Sequence, residues 1–173
     1  YLARFCPPRV YKYLKPAVDL LAGIPSIVYG FFGLVVIVPI MRDLFGGNGK
    51  SVLTASILLG IMILPTLISV GEASIRAVPE SYYEGALALG ATPEETVFKV
   101  MLPAAKSGLT AGVILAIDRS IGEAMAVSMV AGNQPIIPDS LLSGVRTLTA
   151  NIVLEMGYAA DMHREALLAT GVV

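Results

Sequence analysis

Charge is scarce in this sequence. Only 14% of its 173 residues are Asp, Glu, Lys or Arg, against about 25% in average soluble domains. Hydrophobic residues make up 55%, and mean hydropathy is +0.77. Cysteine is nearly absent: Cys6 stands alone, which excludes an intrachain disulfide. Histidine is confined to His163. No HExxH, no Ser/His/Asp set and no GxxxxGK[ST] phosphate-binding loop occurs, so the residues offer neither a hydrolytic centre nor a place for nucleotide phosphates. The net charge of −1 supplies no bulk attraction for nucleic acid. An all-α membrane protein is the class that remains.

Long uncharged runs are what the sequence has instead. Residues 20–41 contain 22 uncharged positions between Asp19 and Arg42, and about 20 suffice to cross a bilayer. Residues 51–71 form a second run, with Pro65 as an expected kink. A third span is expected over residues 107–130, where small residues recur every fourth position (Gly108, Gly112, Ala116, Ser120, Ala124, Ser128). Such a stripe lets helix backbones approach closely. Residues 1–16, with Arg4, Arg9, Lys12 and Lys15 and no acid, form a juxtamembrane arm ahead of a membrane domain over residues 17–173. Glycines make residues 42–50 a turn. Residues 146–157 suit an interfacial helix, and residues 166–173 suit the start of a further span. The chain begins at Tyr1 and stops in an apolar run, as an internal piece of a longer protein would.

The arm and the loop over residues 72–106 carry seven Lys or Arg, against four in residues 41–50 and 131–165. The positive-inside rule then puts the arm and that loop on the cytoplasmic side.

That loop is the chain's organising element. Pro79 suits a helix start, and Gly90 suits a helix end in the left-handed conformation. Thr92-Pro93-Glu94-Glu95 spells an N-cap, a Pro at the first helical position and a Glu at the third, which is a capping box; Pro103 is expected to end that second helix. A soluble helical hairpin or a DNA-binding helix-turn-helix shares the bend, but the loop is acidic and nucleic acid wants a basic face. Glu84-Gly85-Ala86, Gly90 and then Val100-Met101-Leu102-Pro103 resemble the EAA loop of ABC importer permeases, with Gly85 in place of the first Ala. The resemblance implies a partial MetI-like, type I ABC importer permease bundle. It also implies that Glu84, Gly85, Ala86, Gly90, Leu102 and Pro103 couple the chain to a separate ATPase subunit, which would hold ATP and Mg²⁺; this chain would carry no cofactor.

Asp118, Arg119 and Glu123 interrupt the third run. Each charge costs about 2.5–3.5 kcal/mol at a membrane-helix centre, so all three need partners or a polar pathway. In a continuous helix Arg119 and Glu123 share one face and can pair, either as a structural ion pair or as part of an anion route. A guanidinium fork fits phosphate or sulfate oxygens. Arg119-Ser-Ile-Gly-Glu123-Ala-Met-Ala-Val127 with Ala131-Gly132-Asn133 resembles the PstC-type permease of phosphate importers, as do residues 23–30, 147–151 and 163–167. This implies a substrate pathway at Arg119, Ser120 and Glu123. The implied partners are the ATPase, a PstA-type second permease, an external phosphate-binding protein and the lipid bilayer, with no nucleic acid. The implied location is a bacterial or archaeal cytoplasmic (inner) membrane, crossed several times. Asp118 and Asp161 depart from the small residues expected there, and Asp118 beside Arg119 would weaken its hold on an anion. A permease for sulfate, molybdate or an amino acid, or a membrane-anchoring piece with no transport, are the competing readings.

Overall fold

A computed structural model describes residues 1–172. Its elements are helical: α1 (Pro8–Ala22), α2 (Ser26–Phe32), a π-helical turn (Gly33–Ile37), α3 (Val38–Phe45), α4 (Val52–Arg76), α5 (Glu80–Ala88), α6 (Pro93–Thr96), a second π-helical turn (Val97–Met101), α7 (Leu102–Ala104), α8 (Lys106–Ile121), α9 (Met125–Val130), α10 (Leu148–Glu155) and α11 (Asp161–Thr170). Among the described residues the only extended pairing is an isolated bridge between Gly132 and Val145. Two compact units divide the chain: Tyr1–Gly23 with Ile63–Asp118, and Ile24–Met62 with the residues from Arg119 on.

The first unit is built on small contacts. A Cβ added to Gly108 of α8 would stand 2.5 Å from the Ser74 hydroxyl oxygen of α4, and one on Gly112 would stand 2.9 Å from Val70 Cγ1. Only glycine permits this approach, so the first half of the small-residue stripe does what its spacing suggests. Val78, Val97, Met101 and Ala105 form the unit's core, with Phe5, Ile75, Tyr83 and Leu109 packed against them.

In the second unit Tyr29, Ile37, Val38 and Met41 from α2–α3 meet Ala55, Leu58 and Met62 of α4 and Ala126, Val127 and Val130 of α9. The first amides of α4, which lack helical partners, are satisfied from elsewhere in the unit. Val52 N–H donates to Ser143 O at 3.0 Å and Leu53 N–H to Leu141 O at 2.8 Å.

Ser26–Phe45 and Val52–Arg76 are long and apolar enough to cross a membrane, with mean hydropathies of 1.9 and 2.2. Pro93–Ala104 and Lys106–Ile121 would make a third such segment if taken together, but they are bent by 68°. Exposed Phe31, Val35, Ile57, Ile61 and Leu64 give these helices surfaces suited to lipid.

Several boundaries differ from the sequence expectation. The apolar helix expected at residue 20 starts at Ser26. Gly23 ends α1, its amide bonding Asp19 and Leu20 carbonyls. Pro25, at φ −59° and ψ 141°, then stands outside the next helix as its N-cap, because a proline disfavours helix in the residue before it. Helix α3 continues to Phe45, shortening the expected turn. The apolar helix expected to stop at Gly71 runs to Arg76. The helix expected over residues 107–130 is interrupted at 122–124, between α8 and α9. Pro103 does not end its helix: its ring lies in the first turn of α7, where no N–H is required, and the bend falls at Ala105. Residues 166–170 belong to the short α11; Val173 lies outside the described residues.

Candidate functional site

The loop after α4 presents two short helices joined at Gly90. Pro79 is the N-cap of α5, one position outside the expected one. Gly90 takes φ +88°, and the reversal lets Ala91 N–H reach Ala86 O at 3.1 Å. Thr92 then caps α6 reciprocally: its hydroxyl accepts from Glu95 N–H at 3.2 Å, and the Glu95 carboxylate accepts from Thr92 N–H at 3.3 Å. Lys99 adds an ion pair to Glu95 at 2.8 Å. Lys99 first, and the Thr92 amide second, hold the Glu95 carboxyl below its ordinary value.

Helix α5 is a surface element, with no buried side chain. Glu84 and Gly85 are exposed and Ala86 half-buried. A Cβ on Gly85 would meet nothing within 4 Å, so alanine would fit there, and glycine costs about 1 kcal/mol of helix propensity without a packing reason. Beyond the bend, Leu89 (91% exposed) and Phe98 (66%) stand outward. Leu102 is half-buried and Pro103 exposed. The loop therefore offers an apolar surface edged by Glu80, Glu84 and Glu94, a shape that can seat in a partner's cleft.

In the second unit, Ser120 and Glu123 line a cavity of about 230 Å³ with Ser56, Thr147 and Thr149. Thr149 donates its hydroxyl to Glu123 O at 3.2 Å. Arg119, half-buried, lies in the last turn of α8. The expectation that Glu123 shares a helical face with Arg119 is corrected. Helix α8 ends at Ile121, Gly122 lies in a turn, and Glu123 has left the helix. Its carboxylate accepts from Ala126 N–H at 3.0 Å, taking up an orphan donor at the start of α9.

The sequence profile of the family described as "Binding-protein-dependent transport system inner membrane component" matches residues 1–172. The chain belongs to that family. Among similar inner membrane components is a protein of Bacillus subtilis (strain 168) described as a probable ABC transporter permease protein, YqgH: 40% identical, covering all of this chain and 57% of the relative. Phosphate transport system permease protein PstC of Xylella fastidiosa (strain Temecula1 / ATCC 700964) is 36% identical, over the whole chain and 60% of its own length. A probable PstC of Methanocaldococcus jannaschii is 34% identical over 90% of this chain and 54% of the relative. The chain thus spans somewhat over half the length of these relatives. A structure of the MetNI methionine ABC transporter in inward-facing conformations superposes with TM-score 0.72 at 22% identity, covering 99% of this chain and 74% of that one. The two share the MetI-like all-α fold.

One residue of this family member escaped sequence reasoning altogether. Glu72, 6% exposed, sits in the last turns of α4 and receives Tyr11 Oη at 2.8 Å, Lys15 Nζ at 3.2 Å and Arg76 Nε. Its i+4 pairing with Arg76 was visible in the spacing; the partners on α1 lie about sixty residues away. Lys15 also pairs with Asp19 at 3.0 Å, and Asp19 accepts from Ser69 Oγ at 2.9 Å. Those two bonds hold Asp19 below the ordinary carboxylate value. Burial pulls Lys15 down, but its bonds to Asp19 and Glu72 outweigh it and leave the ammonium above its ordinary value. The Glu72 bond first, then burial, raise Tyr11. His163 is likewise engaged, its Nε2 2.9 Å from Glu155 Oε2, while Arg146 Nη1 donates to Glu155 Oε1 at 2.7 Å.

Proposed function

We propose that the chain is part of the transmembrane permease subunit of an ATP-driven importer, and that the importer carries inorganic phosphate across the cytoplasmic membrane. The observation that carries the reading is the exposed α5–Gly90–α6 elbow, with its reciprocal Thr92–Glu95 cap, at the positions of the EAA pattern. In this reading a separate ATPase, holding ATP and Mg²⁺, closes on the elbow. Glu84 contacts that subunit, Gly85 and Ala86 continue the contact, and Gly90 supplies the bend. Leu102 and Pro103 pass the movement into the helix that follows. A PstA-type permease and an external phosphate-binding protein complete the assembly. The Lys and Arg balance supports an arm and elbow on the cytoplasmic side of a chain that crosses the membrane several times.

Phosphate is favoured by the PstC relatives and by the chemistry of Arg119, whose guanidinium charge persists at any physiological pH. Anion passage by Arg119, Ser120 and Glu123 is the corresponding route, and the hydroxyls of Thr147 and Thr149 add neutral donors to the Ser120–Glu123 cavity. Uptake of labelled phosphate by the full-length permease, reconstituted with its ATPase and binding protein, tests the reading. Excess sulfate, molybdate or amino acid should leave uptake unchanged; competition by one of them would transfer the assignment to that substrate. Arg119→Gln should lower uptake roughly tenfold or more, and a native rate would remove Arg119 from the pathway. Gly90→Val should leave ATP hydrolysis running while uptake falls. Normal uptake by that variant would refute the coupling role.

A further inference from the structure

Helix α5 is nine residues long and buries no side chain. A helix so short is marginal without tertiary support, yet an element that transmits force must be held. Within the first unit, residues 1–22 supply the hold at two points. Arg4 Nη1 donates to both carboxylate oxygens of Glu80, at 2.9 and 2.8 Å, and its guanidinium carbon stands 5.2 Å from the Tyr83 ring centre. Glu80 opens α5, and Tyr83 immediately precedes Glu84. The second point is Glu72 of α4, gripped by Tyr11 and Lys15 of α1. Tyr11, Lys15 and Asp19 recur every four residues, so one face of α1 makes all these contacts. Arg76 links the two points: its guanidinium carbon lies 4.6 Å from the Tyr11 ring centre, and its Nη2 donates to the Leu2 carbonyl at 3.5 Å. Between them Phe5 packs on the cluster formed by Val78, Val97, Met101 and Ala105.

We infer that the N-terminal arm is a strap that sets the position of α5, with Arg4 as the positioning residue and Glu72 as the strap's anchorage on α4. The inference rests on the reading of α5 as the seat of an ATPase. A bidentate guanidinium–carboxylate pair fixes direction as well as distance, and the Tyr83 ring beneath it fixes the rotation of α5 about its axis. Releasing Arg4 leaves α5 tied to the chain only through Pro79 and the Gly90 bend. Nucleotide-driven movement would then be absorbed by the loose helix instead of reaching α4 and α8.

The test compares full-length permease carrying Arg4→Gln, Arg4→Lys and the charge reversal Arg4→Glu/Glu80→Arg with the unaltered protein. Amide exchange of residues 81–90 in nanodiscs reads the strap directly and needs neither ATPase nor substrate. Arg4→Gln should speed it by roughly fivefold or more, the summed worth of an exposed ion pair and a cation–π contact. Arg4→Lys should be intermediate, because it keeps the charge and loses the two-oxygen grip; the reversal should restore slow exchange. In proteoliposomes with the ATPase, Arg4→Gln should raise the ATP consumed per anion carried, at unchanged melting temperature and unchanged assembly. Unchanged exchange overturns the inference, as does faster exchange with an unaltered ATP-to-anion ratio. Should Arg4→Gln fail to fold, Glu80→Gln reads the same contact from the other side. If the unaltered protein carries no phosphate, the substrate reading falls, and the strap is still judged by exchange and by whatever anion the competition assay identifies.

Discussion

The Glu123 carboxylate accepts the Ala126 N–H at 3.0 Å, which makes it a cap for α9 as well as a wall of the hydroxyl-lined cavity. The two duties separate on substitution. Glu123→Ala loses the cap and should cost about 1 kcal/mol of stability. Glu123→Gln keeps an acceptor oxygen and should melt near the unaltered protein. If its charge serves the anion route, uptake should fall in both variants; retained uptake with Gln would leave Glu123 the capping duty alone.

Glycine is required at one place in the chain and merely present at another. Gly108→Val would drive a side chain into Ser74 and should destabilise by about 1–3 kcal/mol, the usual cost of overpacking. At Gly60 a Cβ meets nothing within 4 Å, so Gly60→Ala should be neutral or slightly stabilising, by up to about 1 kcal/mol. Thermal unfolding in detergent checks both; equal effects would contradict the close α4–α8 approach.

Docking of α1 should depend on pH at both extremes. Asp19 is lowered, first by Lys15 and then by Ser69, so its contribution is complete above the ordinary carboxylate value and is lost as pH falls through the lowered one. Lys15 is raised by Asp19 and Glu72 against the pull of burial. Its contribution is complete below the ordinary lysine value and disappears as pH rises through the raised one. Between those limits exchange of the α1 amides, corrected for the intrinsic rate, should be flat. Asp19→Asn should abolish the acid limb; a limb that persists in that variant belongs to another carboxylate.

Thr92→Ala removes one half of the capping box and should cost about 1 kcal/mol, seen as faster exchange at residues 93–97. Glu95 is lowered by Lys99 and then by the Thr92 amide, so the other half weakens as pH falls through its lowered value. Glu95→Gln should blunt that dependence. An unaltered pH response would mean that Glu95 is not what holds the turn.

What was legible in the sequence was local. Thr92-Pro93-Glu94-Glu95 specifies its cap within four residues, Gly90 announces a reversal, and the apolar run of α4 has only one plausible conformation. The misplaced boundaries came from competition between neighbouring segments. Gly23 and Pro25 break a run that hydropathy alone treats as continuous, and Gly122 releases Glu123 from a helix whose apolar character continues to Val130. Pro103 looked like a stop because proline usually is one, but a π-helical turn before it removes the need for its amide. Glu72 was invisible as a hub because the donors Tyr11 and Lys15 arrive from an arm distant in sequence, and no local spacing encodes that meeting.

At Gly90 the surroundings are empty: nothing lies within 4 Å of a would-be Cβ, while φ is +88°. The demand there is one of handedness and not of room. A D-alanine installed by chemical ligation would occupy that backbone shape comfortably and stiffen the elbow, where its mirror image would strain it. Two side chains of identical volume should therefore act in opposite directions at this single position, separating curvature of the main chain from bulk at the partner's surface.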